Sequence, residues 1–78
     1  QAKDILAAIE ALLEQAGSGK DLLLNVTIML ACMDDFNAVN EVYDKWIVEG
    51  KAPARCCSEV KLAFPDILVE VTAIAQLR

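Results

Sequence analysis

Arg55, Cys57 and Glu70 are the side chains of this sequence best suited to chemistry, and they stand in two short β-type runs. The first run is Pro53-Ala54-Arg55-Cys56-Cys57-Ser58-Glu59-Val60. The second, Val69-Glu70-Val71-Thr72-Ala73-Ile74-Ala75, places Glu70 thirteen residues beyond Cys57. A guanidinium within an apolar strand is costly to desolvate unless an anion meets it. Alternation puts Arg55, Cys57 and Glu59 on one face of their strand and Cys56, Ser58 and Val60 on the other. Glu70 shares its face with Leu68, Thr72 and Ile74. If the two runs pair antiparallel through the short turn between them, Arg55 or Cys57 lies near Glu70. Two readings follow. The pair is either a cross-strand ion pair that pins register, or the two ends of a small active site, a cation that holds an anion and a carboxylate.

Other chemistries fit less well. Cys57 lacks the histidine that activates a thiol nucleophile, since the chain has no His. The cysteines, Cys32, Cys56 and Cys57, are odd in number and two are adjacent, pointing to opposite faces of a strand. With no C-x-x-C spacing and no His, a zinc site has no ligand set. Free thiols in a reducing compartment, and so a cytoplasmic location, are the simplest reading. Asp34-Asp35 reads as a helix cap and not a metal pair. Gly17-Ser18-Gly19-Lys20 is a turn: a phosphate loop needs glycines four residues apart, Ser or Thr after the lysine, and a preceding strand. Asn40 lies beside an apolar helix stripe, as a satisfied buried amide or as a pocket donor. Tyr43 and Trp46 read as core.

The elements that must position these residues follow from periodicity. Residues 2–16 form an amphipathic helix with Ala2, Ile5, Leu6, Ile9, Leu12, Leu13 and Ala16 on one stripe, stopped by Gly17. Residues 22–31 alternate as a strand, Leu22, Leu24, Val26, Ile28 and Leu30 forming an aliphatic face and Leu23, Asn25, Thr27, Met29 and Ala31 a mixed one. The mixed face should meet another subunit or a solvated interior. Asp34 or Asp35 then caps a helix over about 35–48, with Phe36, Val39, Tyr43, Trp46 and Ile47 on its stripe and Gly50 after it. Pro53 pre-extends the chain into a strand at 54–62, Phe64-Pro65-Asp66 makes a turn, and the last strand covers 67–76. The order α-β-α-β-β predicts an α+β fold, one helix layer on one face of a sheet.

At 78 residues this is a single domain, yet 56% of it is hydrophobic and the mean hydropathy is +0.41. So small a chain cannot hide that much apolar surface alone, so the excess should lie against other subunits or further chain. It opens at Gln1-Ala2-Lys3, already inside a helical pattern, which reads as a fragment, a processed product or part of a longer chain. The net charge of −5, with five Lys and two Arg scattered singly, gives nucleic-acid binding no basic face. No apolar run reaches 18 residues, so no membrane-spanning helix is expected.

Three segments together resemble the RidA (YjgF-type) family: Phe36-Asn37-Ala38-Val39-Asn40-Glu41-Val42-Tyr43, Ala52-Pro53-Ala54-Arg55-Cys56-Cys57-Ser58-Glu59-Val60, and Val69 to Ala75. The flavour is that of its YoaB-like branch, carried by Asn40 to Tyr43 and by Glu59-Val60-Lys61-Leu62-Ala63. The resemblance covers residues 1–78 and implies a chorismate-mutase-like sheet backed by two helices, assembled as a homotrimer with sites between subunits. It implies hydrolysis of reactive 2-imino acids (2-iminopropanoate, 2-iminobutanoate) to 2-keto acids and ammonia, without metal or cofactor. In that frame Arg55 clamps the substrate carboxylate, and the backbone of Cys57 helps hold substrate and water. Glu70 positions or activates the water, and Asn40 lines the pocket. Two departures stand out. The opening strands of the family precede the first helix and have no counterpart here, and Thr72 stands where many members carry a second Glu. Alternatives from other classes are a keto-acid-binding regulatory protein without turnover, and a ribonuclease or translation inhibitor, as reported for some relatives.

Overall fold

The computed structural model describes residues 1–77. It orders the elements as α1 (Ala2–Gln15), β1 (Leu23–Leu30), α2 (Phe36–Trp46), β2 (Ala54–Glu59) and β3 (Val69–Ala75), with one-turn 3₁₀ segments at Lys20–Leu22 and Met33–Asp35. The expected α-β-α-β-β order is present, with the starts of α1 and β2 as expected and the other ends trimmed by one to three residues.

Helix α1 ends where its sequence stops it. Gly17 takes φ +83, while Ser18 N–H bonds to Leu13 O at 2.8 Å and Gly17 N–H to Glu14 O at 3.2 Å. That doubled pattern satisfies carbonyls the last helical turn leaves open, and it needs the left-handed conformation glycine adopts freely. Ser18 is then buried and donates its hydroxyl to Gln76 O at 2.6 Å, tying the turn to the end of β3. Lys20 Nζ reaches the other helix, donating to Trp46 O at 2.8 Å at the C-terminus of α2, where a cation offsets the helix dipole. The Gly-Ser-Gly-Lys stretch is therefore a structural turn.

The sheet order is β2-β1-β3. This corrects the expected hairpin: β2 and β3 do not pair with each other. Strand β1 lies between them, parallel to β2 (Val26 opposite Arg55, Ile28 opposite Cys57) and antiparallel to β3 (Val26 opposite Ala73, Ile28 opposite Val71). The reason is the crossover. A strand, a helix and a second strand in succession form a parallel unit, with α2 returning the chain to the same end of the sheet. The turn does form, closed by Ile67 N–H to Phe64 O at 3.1 Å, but the longer 60–68 connection carries the chain past β1.

One face of the sheet packs on both helices. Val26, Ile28 and Leu30 are at most 1% exposed, and with Leu6, Val39, Tyr43 and Val69 they form the core. At the start of β1 the pairing with β3 skips Leu24, a bulge that puts Leu23 into the core and leaves Leu24 55% exposed. The expected aliphatic face therefore loses Leu24 and gains Leu23. The opposite face carries Asn25, Thr27 and Met29 flanked by Ala54, Cys56 and Ser58 on β2 and by Glu70, Thr72 and Ile74 on β3. No helix among the described residues covers that mixed face.

Asp35 occupies the position before α2 but makes no side-chain cap. Glu59, at the end of β2, takes over instead: its Oε1 accepts the Met33 N–H at 2.9 Å. A carboxylate at that end of a helix is favourable on charge grounds as well.

Candidate functional site

Helix α2 presents Phe36, Asn40 and Tyr43 on one face, at spacings of four and three residues. Strand β2 lies alongside, and Arg55 rises from it toward that face. Its Nη1 donates to Asn40 Oδ1. Its Cζ lies 4.9 Å from the Tyr43 ring centre and 5.9 Å from that of Phe36, within range of cation–π attraction. Asn40 Nδ2 turns the other way, toward Asp44 Oδ2 at 3.5 Å. Tyr43 is 5% exposed, and its hydroxyl is buried without a hydrogen-bond partner among the described residues. Burial raises its pKa, and the Arg55 charge pulls it partly back.

Arg55 meets no carboxylate among the described residues. The ion-pair reading is thereby removed. Arg55 stands in the same row as Val26 on the helix-covered face, whereas Glu70 stands in the row of Met29 on the open face. β2 and β3 are also two strand spacings apart, about 10 Å. One copy of the chain thus brings together Arg55, Asn40 and, next along the same face, Cys57. It does not bring Glu70 to them.

Cys57 offers its backbone at the strand edge. Val60 N–H bonds to Leu30 O at 2.9 Å, so by alternation Ala54, Cys56 and Ser58 also point their peptide groups toward β1. The N–H and C=O groups of Arg55, Cys57 and Glu59 then face the free edge of β2, where they can hold a ligand or a second chain. The Cys57 side chain is half-buried and Cys56 is exposed on the other face. Among the described residues no cluster of three Cys, Asp or Glu side chains gathers to hold a metal. A cleft of about 620 Å³ lies elsewhere, between Ala31 and the 60–67 segment. Its walls are largely apolar, Val60, Leu62, Phe64 and Ile67 among them.

Sequence reasoning placed Tyr43 in the core and missed its contact with Arg55. The signal was there: 36, 40 and 43 share one helix face, so whatever touches Asn40 also touches the two rings.

The profile of the family described as Endoribonuclease L-PSP matches residues 1–77. The chain belongs to that family. Its members include the YoaB protein of Escherichia coli K12, a RutC family protein 43% identical over 75 residues, 96% of this chain and 66% of YoaB. A RutC family protein of Synechocystis is 42% identical over 77 residues, covering 99% of this chain and 59% of its own. Among solved structures, a YjgF-family protein of Neisseria meningitidis superposes with a TM-score of 0.98 at 40% identity, over 100% of this chain and 66% of that one. A Salmonella typhimurium protein named for translation-initiation inhibition gives 0.96 at 40% identity, over 99% of this chain and 67% of that one. The chain thus spans about two thirds or less of the relatives it matches. The two helices on a mixed three-stranded sheet are the chorismate-mutase-like fold of the YjgF family. No helix among the described residues is long and apolar enough to cross a membrane.

Proposed function

We propose that this family member is an imine deaminase: it hydrolyses small 2-imino acids of the 2-iminopropanoate and 2-iminobutanoate type to 2-keto acids and ammonia, as a homotrimer with sites between subunits. The observation that carries this reading is Arg55. It is a guanidinium with no carboxylate partner among the described residues, backed by two aromatic rings and held by Asn40, with donors left over. Such a fork suits a carboxylate, each charged hydrogen bond contributing about 1.5–3 kcal/mol.

With the carboxylate on Arg55, the imine carbon lies beside the free edge of β2, where the Cys57 backbone can hold the imine nitrogen or the water. Water oxygen adds to C2 and the C=N π pair moves to nitrogen. A carboxylate takes the proton lost by the water and returns it to nitrogen; a second transfer moves the carbinolamine hydroxyl proton to the amine, and the C–N bond then breaks as the C=O bond forms, releasing ammonia and the 2-keto acid. Glu70 is the carboxylate assigned to that step. Since it stands on the opposite face of its own sheet, it serves the Arg55 of a neighbouring copy. The mixed face of the sheet, with Ile74 58% and Leu68 45% exposed, is suited to burial against another subunit.

The test generates 2-iminobutanoate in situ with a pyridoxal-phosphate dehydratase and follows 2-oxobutanoate release with and without the protein. Acceleration that disappears in Arg55→Ala supports the reading, and full activity in that variant overturns it. Tight 2-oxobutanoate binding without turnover would make the protein a keto-acid sensor. The family description also names an endoribonuclease, but a net charge of −5 offers RNA phosphates little. RNA cleavage that responds to salt and to Arg55→Ala would favour it.

A further inference from the structure

Tyr43 does more than fill the core. We infer that its ring is a positioning platform for Arg55, fixing which edge of the guanidinium a substrate carboxylate meets. This deepens the function proposed above and rests on it.

Three contacts restrict the guanidinium. The Tyr43 ring, 4.9 Å from Cζ, occupies one side of it, and the Phe36 ring lies 5.9 Å away. Asn40 Oδ1 takes a donor on Nη1. The edge formed by Nε and Nη2 takes no part in that bond and stays open to a bidentate carboxylate. An exposed arginine on a strand edge would otherwise sample many rotamers, and a ligand would have to arrest them on binding. Tyr43 is well suited to this task because it is 5% exposed and belongs to the buried core cluster, whose packing restricts its ring. Trp46, one turn further along, meets the Tyr43 ring at 6.3 Å and a 43° tilt.

The hydroxyl is a separate matter. It is buried with no hydrogen-bond partner among the described residues, so removing it should leave the platform intact. The ring itself is the part that matters. Arg55 touches the substrate, whereas Tyr43 acts through Arg55.

The experiment measures kcat and KM for the imine substrate in Tyr43→Phe, Tyr43→Leu and Tyr43→Met, with Val69→Ala, a buried position on β3, as a core control and Arg55→Ala as the reference for the site. Tyr43→Phe should keep KM within about twofold of wild type, because the ring remains. Tyr43→Leu and Tyr43→Met should raise KM about tenfold with a smaller change in kcat, the signature of lost carboxylate binding. Val69→Ala should lower Tm without moving KM. The methionine variant keeps the test open where the leucine one fails to fold. A wild-type KM in the folded leucine or methionine variant overturns the inference, and so does a phenylalanine variant as impaired as they are. Full activity in Arg55→Ala instead overturns the deaminase reading itself, so the two failures are told apart. If the protein binds 2-oxobutanoate without turnover, its Kd replaces KM and the same ordering is required.

Discussion

Arg55 and Glu70 stand on opposite faces of one sheet, with the whole of β1 between their strands. No rotamer of either side chain closes that gap within a single copy. If both serve one reaction, they do so from different copies of the chain.

That geometry gives a complementation test. Arg55→Ala and Glu70→Ala should each be inactive alone as homotrimers. Unfolded and refolded together in equal amounts, they form mixed trimers in which some interfaces join an intact Arg55 to an intact Glu70. Random assembly should then return about a quarter of the wild-type rate. A mixture as inactive as its components, with mixed trimers demonstrated by mass spectrometry, places Glu70 outside the site.

The same relationship shows where sequence reasoning reached its limit. Helix α1 was legible from its apolar stripe and its Gly17 stop, α2 from Val39 and Tyr43, and the face shared by Arg55 and Cys57 from alternation alone. The pairing of β2 with β3 was misjudged because the Phe64-Pro65-Asp66 turn is a strong local signal. Two non-local signals outweighed it. The succession of strand, helix and strand through β1, α2 and β2 favours a parallel crossover. The aliphatic run on β1, with Val26 and Leu30 fully buried, marks a central strand. The bulge at Leu24 has no such signature. It depends on how β1 meets β3 in three dimensions, which periodicity within one strand does not encode.

The bulge yields a stability prediction. Leu23 is 6% exposed and Leu24 is 55% exposed, although plain alternation from Val26 would bury Leu24 and expose Leu23. Leu23→Ala should cost about 2–4 kcal/mol in urea unfolding, as a core cavity does. Leu24→Ala should cost less than about 1 kcal/mol, as surface changes do. A larger loss for Leu24→Ala than for Leu23→Ala would mean that the strand keeps its regular register in solution.

Glu59 offers a test of how the site is held together. Its carboxylate accepts the Met33 N–H at 2.9 Å and ties the end of β2 to the start of α2, the two elements that carry Arg55 and Asn40. Glu59→Ala should cost about 0.5–1 kcal/mol, the size of a lost helix cap at an exposed position. Glu59→Gln keeps an acceptor oxygen and should lose less. Amide hydrogen exchange at Met33 reports the contact directly: faster exchange is expected in the alanine variant, and unchanged exchange would show that water serves Met33 equally well.

The buried Tyr43 hydroxyl gives stability a pH dependence of definite sign. Burial holds the neutral phenol in the folded chain, so its folded pKa lies above the ordinary value of 10.0, despite an opposing pull from the Arg55 charge. The folded state therefore binds the proton more tightly than the unfolded state. The resulting stabilisation is fully present below pH 10 and is lost as pH rises through the folded pKa. Tyr43→Phe has no proton to lose at this position. Its unfolding free energy should accordingly fall less steeply than wild type above pH 10, the difference between the two curves isolating Tyr43 from the lysines that titrate in the same range. Arg55→Ala removes the charge that favours the phenolate and should make the decline steeper than in wild type. Parallel curves for wild type and Tyr43→Phe would show that the hydroxyl reaches water in the folded protein.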